Sequence, residues 1–151
     1  MLDRDPRALA IRTSAFFGPW DEDNFITVVL RTLAGGEPFS VADDLTVSPT
    51  YVPDLVNASL DLLIDGECGI WHLTNERPTT WADLALQAAS LAGVDSSRLE
   101  ARHSHQLNFQ ARRRRYSALS SMRATLLPSL DDALSRFLCH YSRNREVGMR
   151  M

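Results

Sequence analysis

Ala10-Ile11-Arg12-Thr13-Ser14-Ala15-Phe16-Phe17-Gly18-Pro19 is the stretch whose reading decides the fold. With Leu9 before it, the run opens short and apolar, which predicts a strand over 9–13, and Gly18-Pro19 ends it. Asp23 or Asn24 can then accept a bond from the first free N–H groups of a helix. Phe25, Val28, Val29 and Leu33 follow at i, i+3, i+4 and i+8, one face of that helix, and Gly35-Gly36 stops it. A strand that feeds a helix through a short turn is the repeating unit of an α/β domain.

The pattern recurs outward from there. Pro38 to Val41 predicts a short strand, Asp43-Asp44 a turn, and Ser48 to Val52 a second extended piece. Pro53 suits the first position of a helix and Asp54 its positive end. Leu55, Val56, Leu62 and Leu63 are expected to form its buried face, with Gly66 as its stop. Gly69 to Thr74 predicts another strand. Thr80 with Asp83 resembles a capping box, with Asp in place of the usual Glu, and the Ala- and Leu-rich helix behind it runs towards Gly93. Arg98 to Phe109 reads as one strand followed by a loop. Ser129 with Asp132 repeats the cap before Ala133 to Leu138, and Arg143 to Met151 reads as a frayed end. Alternating strands and helices indicate an α/β or α+β domain. Periodicity leaves open whether the strands join one sheet or two.

A chain of 151 residues, 44% apolar and 23% charged, fits one globular domain. Its net charge of −3 argues against a general nucleic-acid binder, which needs a basic field. No apolar run approaches the roughly 20 residues that span a membrane. The charged start Met1 to Pro6 is unlike a signal peptide, so a cytoplasmic protein is expected. Cys68 and Cys139 form no C-x-x-C pair and read as reduced, packed thiols. His103 and His105 alternate and would share one face of a strand; two histidines alone do not make a zinc site. His72 reads as a hydrogen-bonded core residue, and Trp71 and Trp81 as core anchors. Ser117 has no His/Asp pattern that would make it a nucleophile.

Four segments, in order, resemble the dTDP-4-dehydrorhamnose reductase branch of the extended short-chain dehydrogenases/reductases. They are Ile11-Arg12-Thr13-Ser14 through Gly18 with Asn24-Phe25; Val41 to Asp44 with Ser48 to Leu55; Gly69 to Thr74 with Thr79 to Ala85; and Arg113 to Leu119 with Leu127 to Leu130. The resemblance implies a partial Rossmann-type, doubly wound α/β fold: a C-terminal sugar-nucleotide-binding lobe carrying edge strands of the parent sheet. Residues 1–151 would be one substrate-side portion, because this sequence has no G-x-G-x-x-G turn and no lysine for a Tyr-x-x-x-Lys pair, all 16 basic residues being arginine. NADPH or NADH would bind the N-terminal half of the parent, and no cofactor is expected on these residues.

The resemblance further implies that Arg113, with its neighbour Arg114, reaches the diphosphate of a dTDP-linked sugar, since guanidinium forks match phosphate oxygens. The run 112–115 also reads as a solvated charge cluster. Asn24 and Phe25 would lie near the nucleotide, or serve only as cap and core; Ser117, in the same loop as Arg113, is expected to be a further substrate-binding residue. Ser14 would lie beside the nicotinamide, or cap a turn. Ala15 stands where the family often has Trp, Leu45 and Val47 where it usually has Gln and Gly, and Arg114 where it has Pro. The expected function is the substrate-binding portion of a reductase of a nucleotide-linked 4-keto-deoxysugar. The alternatives are a non-catalytic module that keeps the fold, or a piece of a nucleotide-sugar epimerase or dehydratase. An exposed sheet edge and a bare apolar face would make the isolated portion self-associate.

Overall fold

Among the described residues, eight short strands pair two by two into four small sheets, and no single sheet organises them. The computed structural model describes residues 5–111 and 113–148, with side chains as far as Arg143. Strand β1 (Leu9–Arg12) pairs in parallel with β6 (Gly69–His72), Ile11 opposite Trp71. Strand β2 (Phe16–Phe17) pairs in parallel with β5 (Thr50–Tyr51), and β3 (Phe39–Ala42) with β8 (Leu99–Arg102). Strand β4 (Thr46–Val47) runs antiparallel to β7 (Thr79–Thr80). The helices are α1 (Phe25–Ala34), α2 (Val52–Ile64), α3 (Trp81–Ala92) and α4 (Leu130–Gly148). The result is a mixed α/β fold built on parallel strand pairs.

The caps are those expected. Asn24 Oδ1 accepts from Thr27 N–H at 3.1 Å, which settles the choice between Asp23 and Asn24. Thr80 Oγ1 accepts from Asp83 N–H at 3.0 Å, and Ser129 Oγ from Asp132 N–H at 3.3 Å. Gly93 ends α3 at φ +65°, a conformation that a Cβ would strain.

Two apolar cores result. The first joins Ile26, Val29, Leu30 and Leu33 of α1 to Leu84, Ala85 and Ala88 of α3 and to Leu134 and Phe137 of α4, with Phe17 and Tyr51 between them. The alanines let α3 approach its neighbours closely. The second joins Ala58 and Leu62 of α2 to Trp71 and Leu73, with Leu9, Ile11 and Leu127 around them.

Asn75 sits at the seam and is 2% exposed. Its Oδ1 accepts from Tyr51 N–H at 2.7 Å, and its Nδ2 donates to Pro128 O at 2.9 Å and to Asp54 Oδ2 at 3.4 Å. Asp54 takes a two-pronged bond from Arg136 of α4, both contacts at 2.6 Å. The Arg136 guanidinium also lies 5.0 Å from the centre of the Tyr51 ring. Burial, first, pushes the Tyr51 phenol up, against the neighbouring Arg136. One amide and one ion pair therefore tie α2, β5, the segment before α4, and α4 itself.

Several expectations are corrected. Val56 and Leu63 do not face the core; they are 49% and 60% exposed, and with Leu60 and Ile64 they make an outer apolar stripe on α2. Apolar residues lie on both sides of this helix, so periodicity could not choose between them. Ala58, one helical turn before Leu62, takes the inward position instead. Cys68 and Cys139 are free, as expected, but exposed rather than packed. Helix α4 continues through Gly148, past the expected fraying point at Arg143, and residues 149–151 lie outside the described residues. His103 and His105 do not share a strand face, because β8 stops at Arg102 and a single 3-10 turn, Ser104–Gln106, follows.

Replacing Asn75 by Ala leaves the buried Tyr51 N–H without an acceptor. The expected loss is about 2–3 kcal/mol, measured by urea unfolding. A change within a few tenths of a kcal/mol, with unaltered m-value, contradicts the seam's role.

Candidate functional site

The two best-capped helices start side by side. Asn24 fixes Phe25 as the first residue of α1, and Thr80 fixes Trp81 as the first of α3. The two rings meet edge-on, centres 4.5 Å apart, and Phe39 of β3 closes on Phe25 at 6.0 Å. These rings, Ala42 and Leu45 line a pocket of about 460 Å³. Leu107 to Phe109 and Arg113 complete its wall, and the Arg113 guanidinium lies 5.8 Å from the centre of the Phe109 ring. Aromatic walls suit a flat base, and the cation at the mouth suits an anion. Free N–H groups at both helix starts add positive potential.

The loop that carries Arg113 is anchored from behind. Thr46 N–H donates to Arg115 O at 2.8 Å and Ser117 N–H to Thr46 O at 2.9 Å, which extends β4 by one bridge at Tyr116. Beside the pocket, a wider cleft of about 1200 Å³ is lined by His103, His105, Arg113, Arg114, Arg115 and Tyr116. Asp44 tethers Ser104, one of its lining residues. Asp44 Oδ1 accepts from Ser104 N–H at 2.7 Å and Oδ2 from Ser104 Oγ at 2.8 Å, with Arg115 Nε 3.7 Å away. Burial works against the Asp44 charge; the two Ser104 bonds and the neighbouring His103 outweigh it and hold the carboxyl below its ordinary value.

Of the residues singled out from the sequence, Phe25 and Arg113 come together on the pocket wall. Arg114 lines the adjoining cleft. Asn24 is buried behind the pocket, its amide engaged with Thr27, Gly18 O and Asp21 O. Ser117 lies on the anchored strand-like bridge. Ser14 follows β1, next to Ala15 at φ +46°, away from these walls. Arg112 lies outside the described residues. Trp81 packs against the first core as expected, and sequence reasoning missed that the same ring lines the pocket, together with Phe39 and Phe109. An aromatic residue directly after a cap was the available signal for Trp81. Trp71 is the core anchor expected, with Arg123 stacked 4.0 Å above it. His72 is half-buried and donates from Nδ1 to Ser120 O at 2.9 Å. No helix among the described residues is long and apolar enough to cross a membrane, and no group of three metal-ligating side chains occurs among them.

Known structures share this fold. The dTDP-4-dehydrorhamnose reductase of Bacillus anthracis, solved in complex with NADP, superposes with a TM-score of 0.80 at 26% identity, over 87% of this chain and 48% of that one. The orthologous reductase of Clostridium acetobutylicum gives 0.83 at 20% identity, over 91% and 50%. The fold is thus a Rossmann-type reductase fold represented by about half its length. The RmlD substrate binding domain matches residues 1–140, and this chain belongs to that family. The dTDP-4-dehydrorhamnose reductase of Mycobacterium tuberculosis is 36% identical over 117 residues, 77% of this chain and 38% of that protein. This chain therefore spans well under half of the curated relative's length.

A carboxyl whose folded value is lowered stabilises above its ordinary value near 3.9 and loses that contribution as pH falls through the lowered one. The Ser104 tether is therefore complete at neutral pH. Amide exchange at Ser104 is expected to stay slow from pH 7 down to pH 4.5, and to become fast at every pH in Asp44→Ala. Equal exchange in both proteins removes the tether.

Proposed function

We propose that residues 1–151 are the sugar-nucleotide-binding portion of an NAD(P)H-dependent reductase of a dTDP-linked 4-keto-deoxysugar. The dinucleotide-binding half lies outside these residues. The observation that carries this reading is the aromatic pocket with Arg113 at its mouth, in a chain of the RmlD substrate-binding family. Phe25 and Trp81 would hold the base, Arg113 the diphosphate, and Arg114 a second phosphate contact. Asn24 and Ser117 act by placing Phe25 and the arginine loop. Leu45, on the pocket wall, and Val47, buried beside it, replace the polar or small residues usual in the family, which favours a less polar group at that wall.

The residues present do not make a dinucleotide cradle. Strand β5 enters α2 through Val52-Pro53, and β7 enters α3 through Thr80-Trp81, neither with a glycine-rich turn. No hydride step is assigned to this chain. Ser14, just past the carboxyl end of the parallel strand β1, would lie beside the nicotinamide. The outer edge of β1 pairs with no other described strand, and α2 carries its outer stripe of Val56, Leu60, Leu63 and Ile64. The dinucleotide-binding half would cover both. In its absence a second copy of this chain covers them, strand edge to strand edge about a twofold axis.

Replacing Arg113 by Ala removes a charge-assisted phosphate contact of about 1.5–3 kcal/mol, one to two powers of ten in Kd for dTDP by calorimetry. Equal Kd values in the two proteins return Arg113 to a solvated charge. For the surface, light scattering of the purified chain is expected to give a dimer, and Leu60→Asp with Ile64→Asp a monomer. A monomer for the unaltered chain at high concentration rules the twofold contact out.

A further inference from the structure

We infer that Ser48 is a positioning residue for the phosphate contact: its buried hydroxyl closes a clasp of three alternate residues, Asp44, Thr46 and Ser48, that fixes the loop carrying Arg113. This rests on the nucleotide reading of the pocket and adds to it a residue that lies outside the pocket wall and acts through another.

Backbone groups of alternate residues meet the same neighbour in a parallel pair. Residues 44, 46 and 48 follow that rhythm along β4. Asp44 takes the start of the loop, accepting from the N–H and the hydroxyl of Ser104. The main chain of Thr46 takes its end, donating to Arg115 O at 2.8 Å and accepting from Ser117 N–H at 2.9 Å. Leu119 N–H, two residues further on, is due to meet the carbonyl of Ser48. It meets the hydroxyl instead, at 3.0 Å, and the same hydroxyl donates to Leu119 O at 3.3 Å. A serine can serve both groups of one residue because its oxygen accepts while its proton donates. Ser48 is 1% exposed, so water does not compete for either bond.

The main chain cannot take over this contact. The carbonyl of Ser48 accepts from Thr50 Oγ1 at 3.5 Å, and from Pro49 on the segment turns to the seam, where Pro49 O accepts from Asn75 N–H at 3.2 Å. The hydroxyl therefore carries the ladder one step past β4. The loop itself depends on such roots. Its described backbone bonds are local: Gln106 N–H to His103 O, Leu107 N–H to Ser104 O, and Phe109 N–H to Leu107 O. Arg113 stands two residues before Arg115 and six before Leu119, so its reach towards the pocket mouth is set where the loop is tied. A guanidinium on a loop ordered beforehand keeps the phosphate energy that ordering on binding would consume. Alanine at position 48 removes both bonds and leaves Leu119 N–H facing a methyl group.

The test is a double-mutant cycle by calorimetry with dTDP, using Ser48→Ala, Arg113→Ala and the two together. Ser48→Ala is expected to weaken dTDP about three- to tenfold when Arg113 is present, and less than about twofold in the Arg113→Ala background, because the hydroxyl acts through that arginine. Amide exchange of the unaltered chain without ligand needs no variant: Leu119 N–H should exchange as slowly as Ser117 N–H. Equal affinity of Ser48→Ala and the unaltered chain, or the same loss in both backgrounds, overturns the positioning role and leaves the nucleotide reading standing. A Leu119 amide that exchanges as fast as an unbonded one does the same. So does a Ser48→Ala chain that circular dichroism shows to be unfolded, since the hydroxyl then serves the core rather than the loop. No binding of dTDP by the unaltered chain overturns both.

Discussion

The buried amide of Asn75 is the constraint on which the rest of the structure depends. One side chain satisfies a strand N–H, a carbonyl from the segment before α4, and the carboxylate at the start of α2. An amide can do this because it carries both a donor and an acceptor end. Arg136 extends the tie into α4 through Asp54, and covers Tyr51 from the same direction. The first core and the second are each ordinary apolar packing. Their relative placement rests on this polar seam, where hydrogen-bond geometry is directional and burial makes an unpaired group costly.

The site is a consequence of that placement and of two helix caps. Asn24 and Thr80 decide where α1 and α3 begin, and each beginning presents an aromatic ring. The wall opposite is irregular chain, which needs other partners for its backbone. It finds them at β4, through Thr46, and at Ser48, whose hydroxyl accepts from Leu119 N–H at 3.0 Å. Arg113 thus stands on a loop fixed at its root and exposed at its tip, an arrangement that holds a guanidinium near a pocket without burying its charge.

Much of the fold was legible in the residues. Caps and glycine stops are local chemistry, and Asn24, Thr80, Ser129 and Gly93 behave as their types require. The four ordered segments made the family recognisable, and Arg113 and Phe25 lie in one pocket wall. What was not legible is long-range. The turn at Asp43-Asp44 was anticipated, but nothing local says that Asp44 bonds Ser104, 60 residues on. The inward face of α2 was misread because its partner surface is chosen by tertiary packing, not by its own period. His103 and His105 were placed on a strand that stops at Arg102, and the 3-10 turn that follows brings the two rings into contact.

The segment around Arg123 has a further effect. Its guanidinium lies over the Trp71 ring and bonds Cys68 O at 2.7 Å, while Ser120 O meets the His72 ring. Adjacent residues of a strand face opposite ways, so a segment that touches both Trp71 and His72 passes around the outer border of β6. That border is covered at Trp71 and His72, and among the described residues the free edge of the pair is that of β1. A ribbon that grows from one side only cannot propagate: whatever joins it, joining happens once. In this strand pair, the loop that leads on to the last helix covers one border and leaves the other for a partner.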